Sequence, residues 1–188
     1  MWNASASSAF QHTYPQSMMK MKFCPQCGKP LELKFRDDRD RLQCTDQSAE
    51  CGYVFWNNPT PVVAAIVEHE GDIILARNAA WPEGWFALIT GFLEAGETPE
   101  EGVLREVKEE LNLEGEIVEF VGLYEFHRMN QLIIAYHVRA TGEIKLSEEL
   151  IDYKRKKDHE IRPWAAGTGK AVQEWQAKRG IFNEVIRF

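Results

Sequence analysis

Residues 91–113 read GFLEAGETPEEGVLREVKEELNL, and this stretch decides the fold. Its second half has helical periodicity, because Leu104, Val107 and Leu111 recur on one face. Thr98 is the expected N-cap, Pro99 suits the first helical position, and Glu100 and Glu101 complement the positive end of the helix dipole. A helix over Thr98–Leu111 follows. On it Glu106, Glu109 and Glu110 stand at i, i+3 and i+4, so their carboxylates share a face. Three like charges there repel, and an oxygen-ligated Mg²⁺ or Mn²⁺ turns that repulsion into coordination. Arg105, four residues before Glu109, is expected to brace that carboxylate through a planar bidentate contact. Gly91 closes an expected strand and lets the backbone approach a ligand, so its carbonyl is a further oxygen donor; Gly96 permits the turn that returns Glu97 toward the helix. A solvated acidic helix face satisfies the same spacing, and the residues alone leave both readings open.

The complete pattern resembles the Nudix box: Gly, five residues, Glu, seven residues, Arg-Glu, an apolar residue, any residue, Glu-Glu, any residue, Gly, an apolar residue. Asn112 stands where that pattern has its last glycine, and Asn is the next best residue for a left-handed helix end. The resemblance implies an α-β-α sandwich around a mixed sheet. It also implies that Glu106, Glu109 and Glu110 hold Mg²⁺ or Mn²⁺ across a diphosphate, supported by Glu97 and the Gly91 carbonyl. Arg105 orients the carboxylates, Glu109 is the first candidate for the base, and Glu160, from a later loop, is the alternative to its plainer reading as a surface acid.

Around the box the chain alternates strand and turn. Val62–Glu68 and Ile73–Arg77 flank His69-Glu70-Gly71-Asp72 as a hairpin, and Trp85–Thr90 reads as a third strand ending at Gly91. Ile117–Phe126 and Leu132–Ala140 follow, with a turn at Gly142. Ile144–Ile151 has no decided state, a short strand is expected at His159–Trp164, and Lys170–Lys178 closes the domain as a helix. This mixture is α+β in composition and layers as helices on a mixed sheet.

All four cysteines fall early, as Cys24-Pro-Gln-Cys27-Gly28 and, after a longer insert at residues 45–50, Cys44 with Cys51-Gly52. Such clustering favours one tetrahedral Zn²⁺ site over two disulfides or four unrelated thiols, since no secretory signal is visible. With four protein ligands it leaves no position for substrate water, so its role is structural. Leu31–Phe35 and Arg41–Gln43 read as the strands of a zinc ribbon. Residues 21–60 hold six Lys or Arg and six Asp or Glu, and a locally neutral ribbon is a poor phosphate-tracking surface. Tyr53–Trp56 is expected to pack the ribbon against the main domain or a second subunit, and Asn57-Asn58-Pro59-Thr60-Pro61 reads as a linker. The expected organisation is a leader over 1–20, a ribbon over 21–58, a hydrolase domain over 59–182 and a tail over 183–188.

The 188 residues carry a net charge of −7, which argues against sequence-independent nucleic-acid binding but admits a phosphorylated substrate bridged by cations. No apolar run approaches the roughly 18–20 residues of a membrane span. Met1–Lys20 lacks the charged and apolar regions of a secretory signal, and a cytoplasmic homodimer is expected. The ribbon resembles that of NADH pyrophosphatases and of Nudix relatives acting on ADP-ribose or FAD, and Gly167–Val172 with Trp175 is similar to the tail of those ribbon proteins. Arg77, Trp81, Trp85, Phe86, Tyr124, Phe126 and Arg128 flank the expected cleft, where aromatic faces stack a base and Arg contacts phosphate. The Ser-Gln-Pro-Trp element of NADH pyrophosphatases is replaced by Tyr124–Gln131, so ADP-ribose, FAD or a related dinucleotide is the expected class. A nucleotide sensor without turnover and a ribbon-led nucleic-acid adaptor are the alternatives.

Overall fold

The computed structural model describes residues 21–46 and 51–187; the expected leader and part of the cysteine insert lie outside them. The chain divides into two compact units between Asn57 and Asn58.

In the first unit, β1 (Leu31–Arg36) and β2 (Arg39–Cys44) form an antiparallel hairpin, and β3 (Val54–Phe55) adds to β2. Asp37 and Asp38 link the hairpin, both at positive φ (49° and 60°), the left-handed pair that a two-residue turn between twisted strands needs. Asp tolerates that conformation better than most residues.

The second unit is built on β4 (Thr60–His69), which is buried along most of its length because both faces of its sheet are covered. Val63, Ala65 and Val67 face α1 (Pro99–Leu111), packing with Val103, Val107 and Leu111. Ala64 and Ile66 face the other way, in a core completed by Ala171, Val172 and Trp175 of α2 (Gly169–Ala177). The α-β-α sandwich is therefore present. Along the sheet, β4 pairs in parallel with β8 (Gln131–Thr141), which pairs antiparallel with β7 (Glu114–Phe126). On its other edge β4 changes partner: its end pairs with β5 (Asp72–Asn78) and its start with β6 (Ile89–Phe92). β9 (Leu150–Lys156) closes the far edge against β5.

Three expected elements shift. The third strand begins at Ile89 and runs through Gly91 to Phe92, with only an isolated Ala76–Ala87 bridge upstream, because this segment fills the space where β4 leaves β5. Leu150–Lys156 is a strand that periodicity did not disclose: it is an edge strand, exposed on both faces over most of its length. The strand expected at His159–Trp164 is instead a 3₁₀ turn at Asp158–Glu160, held by Gln176 Nε2 donating to the carbonyls of Asp158 (2.6 Å) and Ile161 (2.8 Å). At the carboxyl end, Ile186 donates to the Pro163 carbonyl at 2.8 Å and accepts from Ala165 at 3.0 Å, which ties the expected tail into the fold.

Candidate active site

α1 starts with a capping box: Thr98 accepts from the Glu101 N–H at 3.2 Å, and Glu101 accepts from the Thr98 N–H at 2.8 Å. It ends at Asn112 in the left-handed conformation (φ 60°, ψ 23°), which explains how Asn serves at the glycine position. The returning chain then covers the helix end. Lys145 N–H donates to the Leu111 carbonyl at 3.0 Å and Ser147 N–H to the Glu110 carbonyl at 3.1 Å, satisfying carbonyls that have no partner within the helix.

Arg105 is the hub of the carboxylate cluster, but its bidentate partner is Glu97 rather than Glu109. Nε reaches Glu97 Oε2 at 3.0 Å and Nη2 reaches Oε1 at 2.8 Å. The i,i+4 contact to Glu109 is a single one of 3.0 Å from Nη1, which also donates to Glu106 at 2.7 Å, while Nη2 donates to the Phe92 carbonyl at 3.1 Å. Glu97 Oε1 further accepts from the Glu94 N–H at 2.7 Å. Paired with Arg105, Glu97 has its pKa drawn down to about 2, so it stays ionised and locks the turn at Gly96 (φ 95°) to the helix. Both Glu97 oxygens are thereby engaged in bracing.

Gly91 has a reason beyond its carbonyl. A Cβ there would lie 1.8 Å from the Glu106 carboxylate, so the absence of a side chain makes the slot that Glu106 occupies. Burial raises the pKa of Glu106, against the opposing Arg105 contact. Burial also pushes Glu110 up to about 8, reinforced by the charges of Glu106, Glu149 and Glu109. The Glu109 side chain is the open one, 60% exposed. Glu149 was missed from sequence because its place beside Glu110 depends on the chain returning over the end of α1. A cluster of hard carboxylate oxygens in which burial, and then the neighbouring charges, raise the pKa of Glu106 and Glu110 fits a divalent cation. The described residues do not draw these glutamates together as closely as the cysteines below.

Glu160 is not brought to this cluster. It lies past the far end of β9, which runs seven residues away from Leu150, and its carboxylate accepts from the Lys157 N–H at 3.0 Å. Of the expected cleft residues, Tyr124 is buried in the α2-side core and donates to Glu174 at 2.9 Å, and the Phe126 ring packs against that core beside Gly167. Burial, with the Glu174 carboxylate, raises the Tyr124 pKa. Tyr124, 2% exposed, is thereby taken up in packing, whereas Phe126 stays half-buried. Arg128 is exposed in a 3₁₀ turn at His127–Met129. Trp81 and Trp85 are exposed between β5 and β6, whereas Phe86 is half-buried with Lys154 Nζ 4.0 Å from its ring centre; Arg77 stands opposite Asp152.

In the other unit the four Sγ atoms lie within 4.8 Å of one another, with Cys24–Cys51 at 3.6 Å and Cys27–Cys44 at 3.4 Å. Those separations exclude disulfides, which need about 2.05 Å, and approach the roughly 3.8 Å edge of a tetrahedron with Zn–S bonds of about 2.3 Å. Cys51, although it accepts a backbone hydrogen bond from Tyr53, is pushed up to about 12 by burial and the surrounding sulfurs. Four sulfurs so close fit a cation that stabilises them as thiolates.

Residues 58–175 match the NUDIX domain family, and residues 22–57 match the Nudix N-terminal zinc-ribbon family. The chain belongs to the NUDIX family. It is similar to a protein named NAD-capped RNA hydrolase NudC from Pseudomonas aeruginosa, 29% identical over 70% of this chain and 45% of the relative. A relative of the same name from Vibrio vulnificus is 32% identical over 75% of this chain and 52% of its own. The chain thus spans about half the length of these curated relatives. Among solved structures, a NUDIX hydrolase from Nitrosomonas europaea superposes with a TM-score of 0.69 at 25% identity, covering 89% of this chain and 100% of that one. An ADP-ribose pyrophosphatase from Streptococcus suis shares the fold, with a TM-score of 0.54 at 21% identity, covering 70% of this chain and 99% of that one. No helix among the described residues is long and apolar enough to cross a membrane.

Proposed function

We propose that this protein hydrolyses the diphosphate linkage of a nucleoside diphosphate derivative of the ADP-ribose, FAD or NAD(H) class. The observation that carries the reading is the Arg105-braced carboxylate face, in which Glu110 is pushed up to about 8 by burial and by its acidic neighbours. Glu106, Glu109 and Glu110, with Glu149 beside them, would hold Mg²⁺ or Mn²⁺, which when bound neutralises the diphosphate and makes a water nucleophilic. Arg105 and Glu97 keep the helix and the 92–97 turn in one arrangement, so the carboxylates need no reorganisation when substrate arrives. Glu109, open to solvent, takes the proton from the attacking water on a carboxylate oxygen. Zn²⁺ on Cys24, Cys27, Cys44 and Cys51 is structural. The names of the curated relatives add NAD-bearing substrates to the class, although this chain lacks the Ser-Gln-Pro-Trp element. Homodimerisation and a cytoplasmic location belong to the same reading.

Incubation with a dinucleotide panel and Mg²⁺ or Mn²⁺ should release mononucleotides, and Glu109→Gln should lower kcat by about 10²-fold or more. A wild-type protein that binds nucleotides without cleaving them is a sensor, and one that binds only polynucleotide through its ribbon is an adaptor. Either result, or a Glu109→Gln variant of undiminished rate, removes the hydrolytic assignment.

A further inference from the structure

β9 carries the basic run Lys154-Arg155-Lys156-Lys157 at its end, and its two faces treat those charges differently. On one face Arg155 is paired with Glu70 at 2.8 Å and with Asp72 at 3.6 Å, and Lys157, just beyond the strand, contacts the same Asp72 at 2.5 Å. On the other face Lys154 and Lys156 make no ion pair among the described residues. Their partners across β5 are Leu75 and Ile73, whose side chains belong to the α2-side core, so both lysines project on that face. Arg77, two residues after Leu75, shares the face. It stands opposite Asp152, and no ion pair joins the two. Phe86 completes the group: Ala87 bridges Ala76, which turns Phe86 to the same side, and its ring receives the Lys154 ammonium at 4.0 Å.

Three cations that make no ion pair among the described residues, with Asp152 the one acid in their row, stand beside an aromatic ring and reverse the sign locally in a chain of net charge −7. Lysines on an edge strand also discourage strand pairing between molecules, and that role accounts for charge but not for the Arg77–Phe86–Lys154 grouping. The row begins at the end of the sheet where the carboxylates lie, since Arg77 precedes Asn78, Asn78 pairs with Leu150, and Leu150 follows Glu149. From there it leads away over the β5–β9 edge, alternate residues roughly 6.6 Å apart.

We infer that Arg77, Lys154 and Lys156, beside Phe86, form a second phosphate subsite that selects dinucleotides carrying a phosphate beyond the cleavable diphosphate. This rests on the hydrolytic reading above and deepens it. Lys and Arg supply charge-assisted hydrogen bonds to the extra phosphate, and the Phe86 face, which now holds the Lys154 ammonium, receives a base or sugar in its place. The same chemistry is presented by a phosphomonoester on the ribose and by the first phosphodiester of an RNA joined to the dinucleotide.

The test compares kcat/KM of the wild-type protein on NAD⁺, on NADP⁺ and on a short RNA capped with NAD. The matched pairs are repeated with Lys154→Gln/Lys156→Gln, and titration calorimetry of Glu109→Gln protein reads binding to the same ligands. A wild-type preference of tenfold or more for NADP⁺ identifies a monoester subsite; the same preference for capped RNA alone identifies a diester subsite. In either case the double variant should reduce the preference to near unity with little change on NAD⁺, and the preference should weaken steeply with added salt. Equal kcat/KM on all three ligands, or a double variant that slows all three alike, overturns the subsite while leaving the hydrolytic reading in place. Should wild type cleave none of them, the calorimetric preference alone decides the subsite.

Discussion

Single residues set the chemistry through what they leave out as much as through what they contribute. Gly91 leaves room for the Glu106 carboxylate, the free end of a flexible side chain, so Gly91→Ala would displace that carboxylate rather than break the backbone. We expect kcat to fall about tenfold or more with the melting temperature nearly unchanged, since misplacing one catalytic group by about 1 Å is costly to rate; steady-state kinetics beside thermal melts would separate the two. Arg105 shows why residue-level reading from sequence has limits. Helical spacing favoured Glu109 as its partner, yet the Gly96 turn delivers Glu97 in the geometry a guanidinium fork prefers. His137 offers a pH readout away from the site. Buried against Trp175, with Arg179 beside it, it has a pKa lowered by burial first and by that cation second, while Glu68 and Glu119 act in the opposite direction. A lowered folded-state pKa means stability is fully present above the unfolded value near 6.5 and is lost as pH falls through the folded value. Urea midpoints measured from pH 8 to pH 5 should therefore decline more in wild type than in His137→Gln.

At the scale of elements, α1 was legible because its signals are local: the cap, the proline, the apolar spacing and the acids all lie within one stretch. Its C-terminus gives a test of the one irregular box position. Asn112→Gly should be neutral or slightly stabilising, whereas Asn112→Ala should cost about 1 kcal/mol, because Gly removes the Cβ penalty at φ 60° while Ala keeps it and loses the Asn112 Nδ2 contact to the Glu143 carbonyl at 3.3 Å. Chemical denaturation of both variants distinguishes the pair. β9 was not legible. A strand exposed over most of both faces has no alternation to reveal it, and its pairing with β5 is a tertiary fact. Tyr124 failed in the opposite sense: its type suggested a stacking platform, but the strand's inward face buries it in the α2-side core. Glu149 carries no local signal at all, since its meaning comes from the segment that folds back over Glu110 and Leu111.

For the molecule as a whole, each unit has its own source of stability. Among its described residues the ribbon buries only Cys24, Leu42, Cys44, Cys51 and Val54, with Leu31 and Tyr53 packed against the cysteines, so on the zinc-ribbon reading its folding should depend on the metal the sulfurs fit. Chelation should release about one zinc per chain and expose the β1 and β2 amides to hydrogen exchange. The β4 and β8 amides should stay protected by their own core, which proteolysis or exchange mass spectrometry would show. The cover over the end of α1 has a further consequence, in time rather than in space. β4 is flanked on one side by β8, and the helix carbonyls of Glu110 and Leu111 are met by Ser147 and Lys145. On a ribosome all the box residues emerge well before those partners do, so a nascent chain halted before residue 147 holds every box glutamate yet lacks the framework that aims them. On the hydrolytic reading proposed above, competence would arrive late, and fragments of unfinished protein should be silent toward dinucleotides.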